Sequence, residues 1–210
     1  MIRFDLPARL PLFAFPGAIL MPRGRAPLTV YEPRYLQLVE DVLKTPDRLI
    51  GLIQPQGEGY ARIGSAGRLV GFQEMEDGRY LISLKAVSRF ALVEVEEGFT
   101  PYARGRVDWT GFGADRTDTP QEDPGFDREH FLRRLQRYMA AKELATDWDT
   151  LDEAGDEMLI NALAMALPFE PEEKQALLEA ATLADRRELL DGLMEFALHR
   201  GGNDGNEALQ

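Results

Sequence analysis

The sequence contains no cysteine. That absence excludes a disulfide framework, a thiol nucleophile and cysteine-ligated zinc, and it fits a reducing compartment. Histidine is nearly absent too. His130 and His199 have no histidine four residues on and no HExxH string, so neither a histidine metal site nor a triad is expected. Long hydrophobic runs are missing. The most apolar stretch, Met158 to Leu167, is far shorter than the roughly 18–20 residues of a membrane span. The opening MIRFDLPARLPLF carries an acid and two prolines and makes a poor signal peptide. A cytoplasmic protein without a membrane partner is the expectation. There is no Gly-x-x-x-x-Gly-Lys-Ser/Thr string to cradle phosphates, and Gly64-Ser65-Ala66-Gly67 has no lysine after it. No Rossmann fingerprint is present either, and no cofactor is expected.

What is abundant is acid, and it is unevenly spread. The formal net charge is −12 over 210 residues. Through Gly111 there are 14 Lys and Arg against 13 Asp and Glu, whereas from Phe112 onward there are 10 against 23. A phosphate backbone would be repelled by the acidic half, which argues against nucleic-acid binding. Hydrophobic residues make up 44% of the chain, enough for one good core or two small ones.

The pattern changes near residue 112. Before it, short apolar runs are separated by Gly and Pro, predicting strands: LPLFAF, LIGLIQP, ARIGSAGRLVGFQEME, RYLISLKAVSRFALVEVEE with a bend inside it, and PYARGRVDW. Asp77-Gly78 marks a hairpin turn. One early helix interrupts the strands. In YEPRYLQLVEDVLK, Tyr31, Tyr35, Leu38, Val39, Val42 and Leu43 share a face, and Pro33 suits the first turn. GFGADRTDTPQEDPG then reads as an exposed linker with little to bury. Behind it lie three or four helices. Phe126, Asp127 and Phe131 form a hydrophobic staple around an Asp cap, and Thr150 with Glu153 has the spacing of a capping box. MLINALAMAL is apolar nearly all round and should be largely buried. Pro168 ends it, Pro171 opens the next helix and Thr182 caps the last. The expected division is 1–112 β-rich with one helix, 113–125 linker, 126–200 helical bundle and 201–210 flexible tail.

Few residues offer chemistry. Ser83 and Lys85 share a face of a strand, as a Ser-Lys dyad would, but same-face polar pairs are routine on half-buried strands. The acids from Asp147 to Glu157 fail the calcium-loop pattern, since the glycine place holds Asp152; acids at a helix start complement its dipole instead. Arg23, Arg25 and Arg34, interleaved with Pro22, Tyr31 and Tyr35, are of the types that recur at binding hot spots. Two readings stand for Arg34 and Tyr31: contact with a ligand, or an internal ion pair to Glu32 or Asp41 with the tyrosine in the core.

LPLFAFPGAILMPRGRAPLTVYEPRYLQLVEDVL resembles the opening of the Lon protease amino-terminal domain family. That family reads Leu-Pro-Leu-Phe-Pro-Leu-Pro-Gly, followed by Pro-Leu-x-x-Phe-Glu-Pro-Arg-Tyr. Here the second element runs from Pro27 to Tyr35, with Tyr31 in the place of Phe. LIGLIQP, IGSAGRL and DGRYLISLKAVSRFAL are similar to its later strands, with Ser65 where relatives often carry Cys. LPFEPEEKQALLEAATLADRRELL is similar to its helical segment, so the likeness reaches about residue 200.

The resemblance implies an α+β fold, a PUA-like β pseudo-barrel followed by a C-terminal helical bundle. It implies a stand-alone, non-catalytic protein- or peptide-binding module acting as an adaptor for proteolysis or protein quality control. The family's ATPase and Ser-Lys protease modules would begin where this sequence ends, and Ser83 with Lys85 does not match the family's catalytic motif. The partners implied are unfolded or peptide-like clients and a protease, with oligomeric state left open. The candidate binding residues are Pro22, Arg23, Arg25, Tyr31, Glu32, Arg34, Tyr35 and Gln54, the last closing the LIGLIQP strand. Small-molecule sensing is the alternative. RNA binding, known among PUA-like barrels, is opposed by the acidic half, and a hydrolase lacks a coherent residue set.

Overall fold

The structure, a computed structural model, describes residues 6–96 and 98–204. Its front half is a mixed sheet of β1 (Arg9–Ala14), β2 (Arg25–Val30), β3 (Leu49–Ile53), β6 (Ile63–Glu74), β7 (Tyr80–Glu96) and β8 (Arg104–Asp108). A small hairpin, β4 (Pro55–Gln56) with β5 (Gly59–Tyr60), stands apart from it. The sheet order is β2-β7-β6-β3-β1-β8, and β7 also pairs with β8. Five strands, β7-β6-β3-β1-β8, therefore close into a ring, while β2 hangs from β7 with one edge unpaired among the described residues. Among the described residues only the β1–β3 pairing is parallel.

The stretch expected as strand, bend, strand is one long β7. Its bend is taken up by register shifts against β6 at Ala66/Gly67 and Leu69/Gly71, and against β8 at Leu92/Glu94. Gly78 adopts φ +81° in the expected Asp-Gly turn, a conformation open to a residue without Cβ. β2 was not among the expected strands, and it contains Pro27. Proline lacks the donor a central strand needs, and Pro27 is tolerated because β2 is an edge.

The helix α1 (Pro33–Leu43) starts with Pro33, whose missing N–H costs nothing there. It buries Tyr35, Leu38, Val39 and Val42 against Phe13, Leu52 and Leu84. Tyr31 precedes the helix and stands 62% exposed, so it does not share that face.

The rear half holds α2 (Arg128–Ala141), α3 (Trp148–Glu153), α4 (Asp156–Ala166), α5 (Pro171–Glu179) and α6 (Leu183–Asp204). Asp127 caps α2 by accepting from the His130 N–H, and Phe126 meets Phe131 edge-on at 5.3 Å, completing the staple. The Thr150–Glu153 capping box does not form. Asp147 caps α3 by accepting from the N–H and hydroxyl of Thr150, and α4 starts separately after Gly155. Thr182 and Asp185 cap α6 reciprocally. Leu135, Tyr138, Leu159, Ile160, Leu163, Leu177, Leu190 and Met194 build the helical core. The last helix runs to Asp204, past the expected start of the tail; 205–210 lie outside the described residues.

The segment expected as an exposed linker is largely exposed, and it also serves as a strap. Residues Thr110–Arg116 wind into 3-10 turns, and Asp115 is buried because Arg89 of β7 waits beneath it. Among the described residues no helix is long and apolar enough to cross a membrane.

Candidate functional site

After β1 the chain leaves the sheet, drives Ile19 and Met21 into the helical core, and turns back into β2. The turn is tight. The Gly24 N–H donates to the Met21 carbonyl at 3.0 Å, and Arg23 sits at φ +63°, a region uncommon for residues other than glycine. Across from this turn lies α4. The helix expected to be largely buried keeps Leu159, Ile160, Leu163 and Ala164 inside, but Met158, Ala162 and Ala166 are exposed and Met165 half-exposed. That apolar stripe and the Gly17–Leu28 segment form the two walls of an open groove of about 620 Å³.

Polar contacts, several of them buried, hold the walls together. Asn161 donates to the Pro22 carbonyl at 3.0 Å and accepts from Arg186 at 2.7 Å. Arg23 donates to Glu157 at 2.7 Å and to the carbonyls of Thr117 and Thr119 on the strap. Arg89 grips Asp115 through two guanidinium nitrogens and donates to the carbonyls of Leu178 and Ala180 at the end of α5. Arg186 has no exposed surface; burial, with Arg89 nearby, lowers its pKa to about 10. It remains charged at neutral pH and bonds to the Leu177 carbonyl as well as Asn161.

The sequence-derived candidates fall in different places. Pro22, Arg23 and Arg25 line the groove. Arg23 is committed to the wall contacts, while Arg25 is exposed and has no hydrogen bond or ion pair among the described residues. Tyr31 and Glu32 border a small crevice beside Phe13 and Phe15. Arg34 lies over the Tyr35 ring at 4.5 Å and pairs with Glu32 at 2.7 Å, so the internal ion pair is formed. It borders a polar pocket of about 300 Å³ with Tyr60 and Tyr102. Tyr35 is buried edge-on against Phe13, its hydroxyl bonded to the backbone of Ala14, and burial raises its pKa. Gln54 is 3% exposed; it accepts from the Gly17 N–H and donates to Pro171 and Gln175, tying sheet to α5 rather than lining the groove.

Met158, Asn161, Ala162, Met165 and Ala166 were not among the candidates. The signal for them was the all-round apolarity of α4, which leaves one stripe without a partner. Ser83 and Lys85 do share a face of β7, and no hydrogen bond joins them among the described residues. Nor does any group of three His, Asp or Glu among those residues suit a metal ion. Of the acids from Asp147 to Glu157, Asp147 caps α3, Asp156 pairs with Arg128 and Glu157 with Arg23.

Comparison with known proteins fits this architecture. The family model of the ATP-dependent protease La (LON) substrate-binding domain matches residues 9–195. Lon protease 2 of Myxococcus xanthus is 25% identical over 199 residues, and Lon protease of Anaeromyxobacter dehalogenans (strain 2CP-C) is 23% identical over 199. Each match covers 89% of this chain, which spans only 23% of the length of either relative. Among solved structures, a Lon N-terminal domain protein from Xanthomonas campestris superposes with a TM-score of 0.61 at 24% identity, over 87% of this chain and 96% of that one. The N-terminal domain of Mycobacterium avium complex Lon protease gives 0.65 at 13% identity, over 89% and 98%. Those two likenesses carry the fold, and the family match carries the assignment: the chain belongs to the Lon protease substrate-binding domain family.

Proposed function

We infer that the chain is a non-catalytic module that binds extended, apolar segments of unfolded proteins in the groove between β2 and α4. The observation that carries this reading is the apolar stripe of α4 facing an unpaired strand edge. Ala86 donates to the Gly24 carbonyl across the β2–β7 pair. The two-residue period then turns Ala26, Leu28 and Val30 toward β7 and leaves the backbone groups of Arg25, Pro27 and Thr29 for the free edge. A client segment can add there as a further strand and drop alternate side chains toward Ala162 and Met165. Pro27 offers no N–H, which blunts the edge against indiscriminate strand pairing. In a cell the same binding would serve proteolysis or quality control in the cytoplasm, as an adaptor that hands clients to a protease.

The test fills the groove. Ala162 is exposed, so Ala162→Trp should fold normally. Losing the burial of one client side chain, about 1.5–3 kcal/mol, should weaken binding of a fluorescein-labelled, carboxymethylated unfolded protein about tenfold or more. Unchanged anisotropy titrations would remove the groove from the account. A second reading, small-molecule binding, is favoured by the groove's volume of about 620 Å³, which falls within the size range of small-ligand sites. A metabolite that raises the melting temperature of wild type but not of Ala162→Trp, with no binding of unfolded protein, would favour it.

A further inference from the structure

Cations stand in register across the sheet from Arg25, which lines the groove. Arg25 of β2 lies opposite Lys85 of β7, and Lys85 lies opposite Arg68 of β6. Side chains so opposed have Cβ atoms about 4.5–5.5 Å apart, and like charges at that spacing repel. Arg25 and Lys85 are both exposed, and neither has an ion pair among the described residues. Elsewhere in the β half Arg9, Arg79 and Arg106 each have a carboxylate, from Glu96, Asp77 and Glu94. In a chain of net charge −12, acids are not scarce. The Arg25–Lys85 pair carries no carboxylate of its own among the described residues, and its Arg25 member lines the apolar groove.

We propose that the groove selects apolar segments that carry an acidic residue beside the apolar stretch, its carboxylate lying between Arg25 and Lys85. This rests on the groove being the client site. Arg25 also lines the groove, so one ligand can reach both features. The groove opens to solvent rather than closing as a cavity, which suits an internal Asp or Glu whose chain continues on either side over a terminal carboxylate that must end inside.

Short fluorescein-labelled peptides with one Leu-Val-Phe-Val centre test this by anisotropy. The first is flanked by Asp and the second by Asn, both amidated; the third has Asn before the centre and a free C-terminal carboxylate after it. At low salt the Asp peptide should bind about fivefold tighter than the Asn peptide, the scale of one exposed ion pair. High salt should shrink the difference, and the Arg25→Glu/Lys85→Glu double variant should abolish or invert it. Equal binding of the Asp and Asn peptides, with both weakened by Ala162→Trp, would overturn the acidic preference and leave the groove standing. Tighter binding of the free-acid peptide than of the Asp peptide would place the carboxylate at a chain end and overturn the proposal. Binding of no peptide, or binding indifferent to Ala162→Trp, would remove the groove itself and the preference with it.

Discussion

Replacing Asp115 with alanine should be among the costliest single changes available in this chain. Its side chain has no exposed surface and that of Arg89 is 3% exposed. One carboxylate oxygen accepts from the Arg89 backbone N–H and Nε at 2.9 Å each, and the other from Nη2 at 3.0 Å. Alanine removes all three bonds and leaves a buried guanidinium with the carbonyls of Leu178 and Ala180 and the Phe112 ring but no carboxylate. Removing one partner of a buried pair costs about 3–5 kcal/mol, because the remaining charge cannot return to water. Arg79 and Asp77, about half exposed, give the internal control: Asp77→Ala should cost far less, since an ion pair in water contributes little. Urea unfolding followed by tryptophan fluorescence measures both. Trp109 is a suitable reporter, since it meets Phe90, the neighbour of Arg89, edge-on at 5.9 Å. The same strap supplies the Thr117 and Thr119 carbonyls that hold Arg23, so Asp115→Ala should also weaken client binding in the absence of urea. A loss no larger than that of Asp77→Ala would refute the role of the strap as the fastening between sheet and helices.

Gly24→Ala would place a Cβ 2.8 Å from the Met165 sulfur and 2.9 Å from the Met21 carbonyl; overpacking of this kind costs about 1–3 kcal/mol, read from thermal melts, and should weaken peptide binding in parallel. Burial and the Asp41 hydrogen bond raise the pKa of Tyr102 from 10.0 to about 12. The folded state therefore keeps a proton that the unfolded chain gives up, so its contribution is whole below pH 10, is lost as pH rises toward 12, and should vanish from stability-versus-pH curves in Tyr102→Phe. Arg34→Ala should leave client affinity unchanged in anisotropy titrations, because Arg34 borders the polar pocket and not the groove.

The strands and helices were legible wherever a period and a turn signal agreed. The α1 face, the Asp77-Gly78 turn and the Phe126–Phe131 staple follow from local spacing alone. The strap was not legible, because the burial of Asp115 depends on Arg89, 26 residues away and on another element. β2 was missed: its short alternation of Ala26, Leu28 and Val30 contains Pro27, a residue that argues against a central strand and is harmless on an edge. The groove depends on longer separations still, since Pro22 meets Asn161 at a distance of 139 residues along the chain. Composition singled out Arg and Tyr near residues 22–35 but could not sort them. Arg25 faces outward beside the groove, whereas Tyr35 fills the core under Arg34 and Gln54 braces α5.

Amide hydrogen exchange on the full chain, with and without an unfolded client, tests the central claim most directly. The Arg25 and Thr29 amides turn toward the free edge of β2, and exchange there should slow when a client strand pairs with it, together with protection over Met158 to Ala166. Protection confined to the pocket of Arg34, Tyr60 and Tyr102, with β2 unchanged, would contradict the account.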